Sequence, residues 1–229
     1  MILSAHQPAY LPWLGYFDKI MSSEIFVYLD TVQFEKNSFT NRNKIKTPQG
    51  AVWLTVPVKI KGHIGKTMME IEIDNSLDWR KKHLNAIFLN YKKALRFEAC
   101  YAKLEILYEN QYQLLAELCW EQLLFWLKEL NITTKIVRSA SLPIDAKKSD
   151  LVLELCRYYK ADHYISGILG RNYLQEEDFA RNGIAVKFQE YQHPTYPQMW
   201  GDFLQYMGIL DFWMNTSEYD LITKIGARK

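Results

Sequence analysis

The sequence predicts an α/β protein: a mainly parallel, Rossmann-like sheet with helices on both faces, carrying a basic β-hairpin insertion and a helical middle segment. Three observations predict it. Short apolar runs at 1–5, 24–29, 133–137, 163–165 and 184–188 alternate with helical patterns, and strands spaced by single helices pair in parallel. Between 36 and 69 stand Lys36, Arg42, Lys44, Lys46, Lys59, Lys61 and Lys66, with no Asp or Glu. From Leu104 to Leu127 leucines recur at steps of three and four with glutamates between them, the period of core-facing helices.

The elements follow in order. After the first strand, Pro8 and Pro12 hold the chain extended before a helix over 14–21, and a second buried strand spans 24–29. Segments 38–45, 51–58 and 68–73 alternate or are β-branched around the turn Thr47-Pro48-Gln49-Gly50, so the insertion, about 36–73, reads as a hairpin or small antiparallel sheet. Helices occupy 77–94 and the stretch on to Leu130. A strand to Val137, a helix over 149–160, a strand over 163–165, a helix over 172–181, a strand over 184–188 and a last helix over 203–213 complete one domain, 1–229.

Composition excludes other classes. With 48% hydrophobic and 24% charged residues, a chain of 229 is neither disordered nor fibrous, and it buries a core without staples. Cys100, Cys119 and Cys156 are widely spaced and form no metal motif, so they read as buried thiols. No basic-then-apolar leader and no membrane-spanning run is present, so the expected location is cytoplasmic. The net charge of +2 conceals an asymmetry: without the seven cations of 36–69, 21 basic and 26 acidic residues remain, net −5. A basic segment on an acidic body indicates a local anion site or a solvated hairpin, and argues against nucleic acid as the partner.

Ligands of open α/β sheets bind beyond the carboxyl ends of the strands. His6, Gln7 and Tyr10 follow the first strand, Asp30 and Gln33 the second, and Ser166 and Gly167 a later one. Tyr191, His193 and Tyr196 follow the last strand. His6 and His193 are the candidate general acids or bases, or phosphate donors, with Asp30 as a third catalytic candidate. Asn41-Arg42-Asn43-Lys44 supplies a guanidinium fork, amides and an ammonium for an anionic or polyhydroxylated ligand, with Lys46 beyond it. Alternation places Arg42 and Lys44 on one face and Asn41 and Asn43 on the other. His63 reads as a loop residue. No phosphate-loop, dinucleotide, serine-hydrolase or metal motif is present. His6, Asp30, Arg42, Ser166 and His193 are expected to surround one concave site.

The opening His6-Gln7-Pro8-Ala9-Tyr10-Leu11-Pro12-Trp13-Leu14-Gly15-Tyr16-Phe17-Asp18-Lys19-Ile20 closely resembles the WbqC-like protein family. So do Asp30-Thr31-Val32-Gln33-Phe34, Asn41 to Lys46, Ile165-Ser166-Gly167 with Tyr173-Leu174, and Tyr191 to Gln198. The resemblance implies an enzyme of bacterial O-antigen or other surface-polysaccharide synthesis, an acyl or aminoacyl (glycine) transferase acting on a nucleotide-linked or lipid-linked sugar. It marks Gln7, Tyr10, Trp13, Lys19, Gln33, Asn41, Arg42, Asn43, Ser166, Gly167, Tyr173, Tyr191, Tyr196 and Gln198 as substrate-site candidates beside the histidines, and no metal ligand. The order strand, His-containing loop, helix, strand is also similar to adenylate-forming and nucleotidylyl-transferring enzymes, pantothenate synthetase among them, which implies ATP or a nucleotide-linked donor as cofactor. This loop has one histidine where that pattern has two. A non-catalytic carbohydrate or nucleotide-sugar binder, its aromatic residues stacking on the ligand, is the alternative.

Overall fold

The structure, a computed structural model, describes residues 1–36, 38–62 and 64–223; His63 lies outside them. In chain order the strands are β1 (Ile2–His6), β2 (Ile25–Tyr28), β3 (Arg42–Thr47), β4 (Gly50–Thr55), β5 (Lys135–Arg138), β6 (His163–Ser166) and β7 (Ala185–Phe188). The α-helices are α1 (Leu14–Met21), α2 (Trp79–Tyr91), α3 (Phe97–Glu109), α4 (Leu115–Glu129), α5 (Lys148–Tyr159), α6 (Glu176–Arg181) and α7 (Ile209–Asn215). Five strands form a parallel sheet in the order β5-β2-β1-β6-β7, and β3 pairs with β4 as a separate antiparallel hairpin.

Strand alternation decides what each face of the sheet buries. Leu3, Ala5, Ile25, Val27 and Leu29 point to one core, shared with Leu151 and Leu155 of α5 and Phe179 of α6. Phe26 and Tyr28 point to the other, shared with Tyr16, Phe17 and Ile20 of α1, Leu123 and Trp126 of α4, and Phe212 of α7. β2 is therefore apolar on both faces, whereas the second face of β1 carries Ser4, bonded to Ser23, and His6; each large side chain fully buried in these cores contributes about 1.5–3 kcal/mol. The three cysteines are free and buried, and burial pushes the Cys100 thiol up to about 11 and the Cys156 thiol to about 12.

Several elements differ from the sequence expectation: β3 starts at Arg42 rather than 38, the helix expected over 172–181 is α6 from Glu176 after a 3-10 turn at Ile168–Asn172, and three further differences have a visible cause. The third insertion strand, expected over 68–73, is a single 3-10 turn at Met68–Glu70 followed by isolated bridges, because Thr67 and Glu70 form a reciprocal capping box. The leucine-rich stretch divides into α3 and α4, and Leu115 N donates to Ile71 O to tie the start of α4 to the insertion. The last helix begins only at Ile209, since Gly208 is held between two elements. Its N–H donates to Lys44 O at 3.0 Å, and a Cβ there would meet Leu11 O at 2.9 Å.

Candidate functional site

From β1 the chain adds β2 and β5 on one side, then returns to add β6 and β7 on the other, so the strand order reverses between β1 and β6. At such a switch point the connections leave in opposite directions and open a crevice. The register Ser4↔Ile165, continued along both strands, brings His6 level with Gly167. From α1, Lys19 reaches into this junction. Its side chain is buried, Nζ donates to Ala5 O at 3.1 Å, and Nζ lies 3.8 Å from the place a Cβ would take on Gly167. No ion pair among the described residues involves Lys19. One N–H of three is thus engaged by protein, and burial lowers the ammonium to about 7.

His6 is half-buried, its ring edge-on to Tyr16 at 4.8 Å. Nδ1 lies 3.0 Å from the Gln7 carbonyl, which can only accept, so Nδ1 carries the proton and Nε2 the lone pair. Burial first, and the Lys19 charge second, lower its pKa to about 3. The imidazole is neutral at pH 7. Ser166 is buried, its hydroxyl donating to Gly167 O, and Gly170 leaves room for that hydroxyl because a Cβ there would fall 1.9 Å from Oγ.

A second cluster adjoins the first through α1. Asp18, buried next to Lys19, accepts from Gln189 Nε2 at 2.6 Å, and burial raises its pKa. The Asp18 charge in turn helps to raise Tyr191, after burial. The Tyr191 ring packs edge-on against Trp13 at 5.4 Å and lies 6.1 Å from His193. His193 donates from Nδ1 to Pro194 O at 2.9 Å and is enclosed by Tyr196, Phe203 and Tyr206. Its Nε2 and the Tyr191 hydroxyl are buried without a hydrogen-bond partner. Tyr206 holds this position at φ 60°, a costly angle for a tyrosine, and also touches Trp13 at 5.7 Å.

The remaining candidates stand elsewhere. Asp30, at the end of β2, is buried and accepts from Arg138 Nε at 2.6 Å, Ser139 Oγ at 2.9 Å and Ala140 N at 2.9 Å. Its carboxylate is committed to joining β2 to β5. Tyr10 bonds His83 and Tyr108 inside the helical core. Asn43 Nδ2 donates to Leu11 O at 2.6 Å and Asn41 Nδ2 to Val56 O at 2.8 Å, so both amides pin the hairpin. Arg42 and Lys44 share the opposite face, as alternation requires, and lie over the Trp53 ring. Lys46 is buried, donating to Gln198 Oε1 at 3.1 Å and to Asp202 O. Gln198 and Tyr196 donate to Asp211 at 2.7 and 2.8 Å. Gln33 is exposed and bridges Thr67; Tyr173 is exposed beyond β6; Gln7 contributes its carbonyl, which also accepts from Tyr16 OH at 3.3 Å.

His6, Lys19, Ser166 and Gly167 therefore share the switch point, with Asp18, Trp13, Tyr191 and His193 adjoining. Asp18, Gln189 and Asp211 were not singled out from the sequence. Asp18 had a signal, its place beside Lys19 in the opening block; Asp211 stands 13 and 15 residues from Gln198 and Tyr196, whereas Gln189 meets Asp18 from 171 residues away. Two surface concavities, one lined by Leu174 to Asp178 with Arg181 and one by Met21, Leu130, Asn131 and Ser217 to Asp220, include none of these residues. Among the described residues no group of His, Cys, Asp and Glu is placed to hold a metal, and no helix is long and apolar enough to cross a membrane.

His83 shows what burial does to an imidazole outside the site. Nε2 faces Thr55 O at 3.2 Å, a carbonyl that can only accept, so Nδ1 accepts from Tyr10 OH at 2.7 Å. Burial lowers its pKa from 6.5 to about 4. The unfolded chain binds that proton more readily, so stability is full above about pH 6.5 and falls toward pH 4, at up to about 1.4 kcal/mol per pH unit. His83→Gln is expected to lower the melting temperature at pH 7 and flatten its fall in acid. An equally steep acid limb in the variant would assign the effect to other groups.

Comparison with known proteins places the chain in a family. A protein of Mycobacterium tuberculosis, described as the uncharacterized protein Rv1507c, is 35% identical over 211 residues, covering 91% of each chain. No solved structure matches. The WbqC-like protein family matches residues 7–222, which takes in β1's exit loop, Lys19, the hairpin, Ser166, Gly167 and α7 and begins one residue after His6. The chain belongs to the WbqC-like protein family.

Proposed function

We infer that the protein is an enzyme of bacterial surface-polysaccharide synthesis that transfers an acyl or aminoacyl group to a sugar carrying an anionic, phosphate-type activating group. The observation that supports this reading is Lys19. A buried ammonium with one protein acceptor and no carboxylate partner is costly to keep, and an anion in the crevice beside Gly167 would satisfy it. In this reading the acceptor amine or hydroxyl attacks the donor's carbonyl carbon and its proton passes to His6 Nε2. The bond from that carbon to the leaving group then breaks, and the leaving group departs with the bonding electron pair and takes the proton back from His6 Nε2, which restores the neutral imidazole. An anion on Lys19 also offsets the charge that depresses His6, so the base strengthens when substrate is bound. The second reading, a non-catalytic carbohydrate binder, is favoured by the Trp13, Tyr191 and Tyr206 rings beside the unpartnered His193 Nε2, and donor consumption separates the two.

The test is Lys19→Met, with affinity for nucleotide sugars and ATP measured by calorimetry beside the melting temperature. Loss of a charge-assisted hydrogen bond of about 1.5–3 kcal/mol predicts binding weaker by at least about tenfold. The melting temperature is expected to hold or rise, because a buried unpaired charge has been removed. Undiminished affinity would remove the anion from this crevice.

A further inference from the structure

The hairpin carries the strongest surface feature that the switch point does not use. Arg42 and Lys44 of β3 and Trp53 of β4 project from one face, with both cations over the indole at 4.4 and 5.0 Å from the ring centroid. Phe39 packs on Trp53 at 5.5 Å. In spite of these contacts Trp53 is 39% and Phe39 49% exposed, and Ile64, further along the same basic segment, is 86% exposed. Of the cations between 36 and 69, Lys46 is buried and Lys59 is paired with Glu72 at 2.7 Å. Lys36, Lys44, Lys61 and Lys66 are exposed or half-exposed and form no ion pair among the described residues. Large apolar side chains left in water beside the cations of this carboxylate-free stretch mark a surface that meets a partner both apolar and anionic.

We propose that this face of the hairpin docks on the headgroup layer of an anionic lipid bilayer. An indole with cations against it suits the interface, where the ring meets the acyl boundary and the ammonium and guanidinium groups stay at the phosphates. Charge complementarity selects this partner over a single-stranded nucleic acid. The rest of the chain is net −5, which repels a long polyanion winding over it but not a plane touched by the hairpin alone. Base stacking also needs a bare ring face, and Arg42 and Lys44 already lie over that of Trp53.

This inference does not depend on the chemistry assigned to the switch point. The full chain is co-sedimented with vesicles of phosphatidylcholine alone and of phosphatidylcholine with phosphatidylglycerol, at low and high salt, with a single-stranded oligonucleotide as competitor. Partitioning onto the anionic vesicles only, released by salt, is expected. Each cation at such a surface is worth about fivefold in partitioning, so Lys44→Gln should lower it by about that factor. Trp53→Ser should lower it further at an unchanged melting temperature, and Phe39→Ser replaces it as the test if the Trp53 variant unfolds. Lys19→Met should partition as the wild type does, whatever its effect on donor binding. Absence of partitioning, equal partitioning onto neutral vesicles, indifference to Lys44→Gln and Trp53→Ser, or displacement by the oligonucleotide would each overturn the proposal.

Discussion

His6→Gln is expected to fold with a melting temperature close to that of the wild type and to lose about 10²- to 10⁴-fold in turnover, with donor affinity nearly unchanged. The side chain is half-buried and makes one hydrogen bond, to a neighbouring main-chain carbonyl, so little of the fold rests on it. Nε2 is the atom with the available lone pair, and glutamine cannot take a proton there. The measurement is paired: melting temperature, and product formation with whichever nucleotide sugar or ATP calorimetry shows to bind. If the variant folds and retains more than about half of the wild-type rate, far above what loss of a general base allows, His6 is not the base. His193 would follow as the candidate, since its own Nε2 is unprotonated and unpartnered.

Asp211→Ala is expected to cost about 3–5 kcal/mol of stability, the range for leaving buried hydrogen-bonded partners of a charge without it. The carboxylate is fully buried at the start of α7. It accepts from Tyr91 OH at 2.7 Å, Tyr196 OH at 2.8 Å and Gln198 Nε2 at 2.7 Å, joining α2, the loop after β7 and α7. Tyr91 OH also accepts from the Lys46 main-chain N–H at 2.9 Å, which extends the network to the hairpin. Burial raises the Asp211 pKa, against the pull of those donors. Asp211→Asn keeps one oxygen acceptor and removes the buried charge, so its cost should be clearly smaller. Urea unfolding of the two variants checks this, and equal midpoints for Ala and wild type would show that the donors find other acceptors.

Much of this molecule was legible in the sequence because strand and helix periods are local. The five parallel strands, the helices on both faces, the basic hairpin and the buried thiols all follow from residue spacing over windows of a dozen residues. The meeting of His6 with Ser166 and Gly167 was legible in a weaker sense, through the rule that loops converge where strands end. The third insertion strand failed because the apolar alternation of 68–73 competes with a local capping box, and the box won.

Whether a polar side chain is occupied is not a local property. Asp30 follows β2, Lys46 lies within β3 and Lys19 lies within α1, and neither the type nor the spacing of these charged residues tells which of them finds a protein partner. The folded chain brings Arg138 and Ser139 to Asp30, and Gln198 to Lys46, from more than a hundred residues away. Lys19 receives the Ala5 carbonyl and no carboxylate. The hydrogen-bonding needs of a buried charge are met by whatever residues the topology carries to it, and composition and periodicity hold no record of those distant partners. Patterning of apolar residues therefore decided the architecture and the edge of the sheet at which the candidate residues gather, while tertiary packing decided which of their charges met a protein partner.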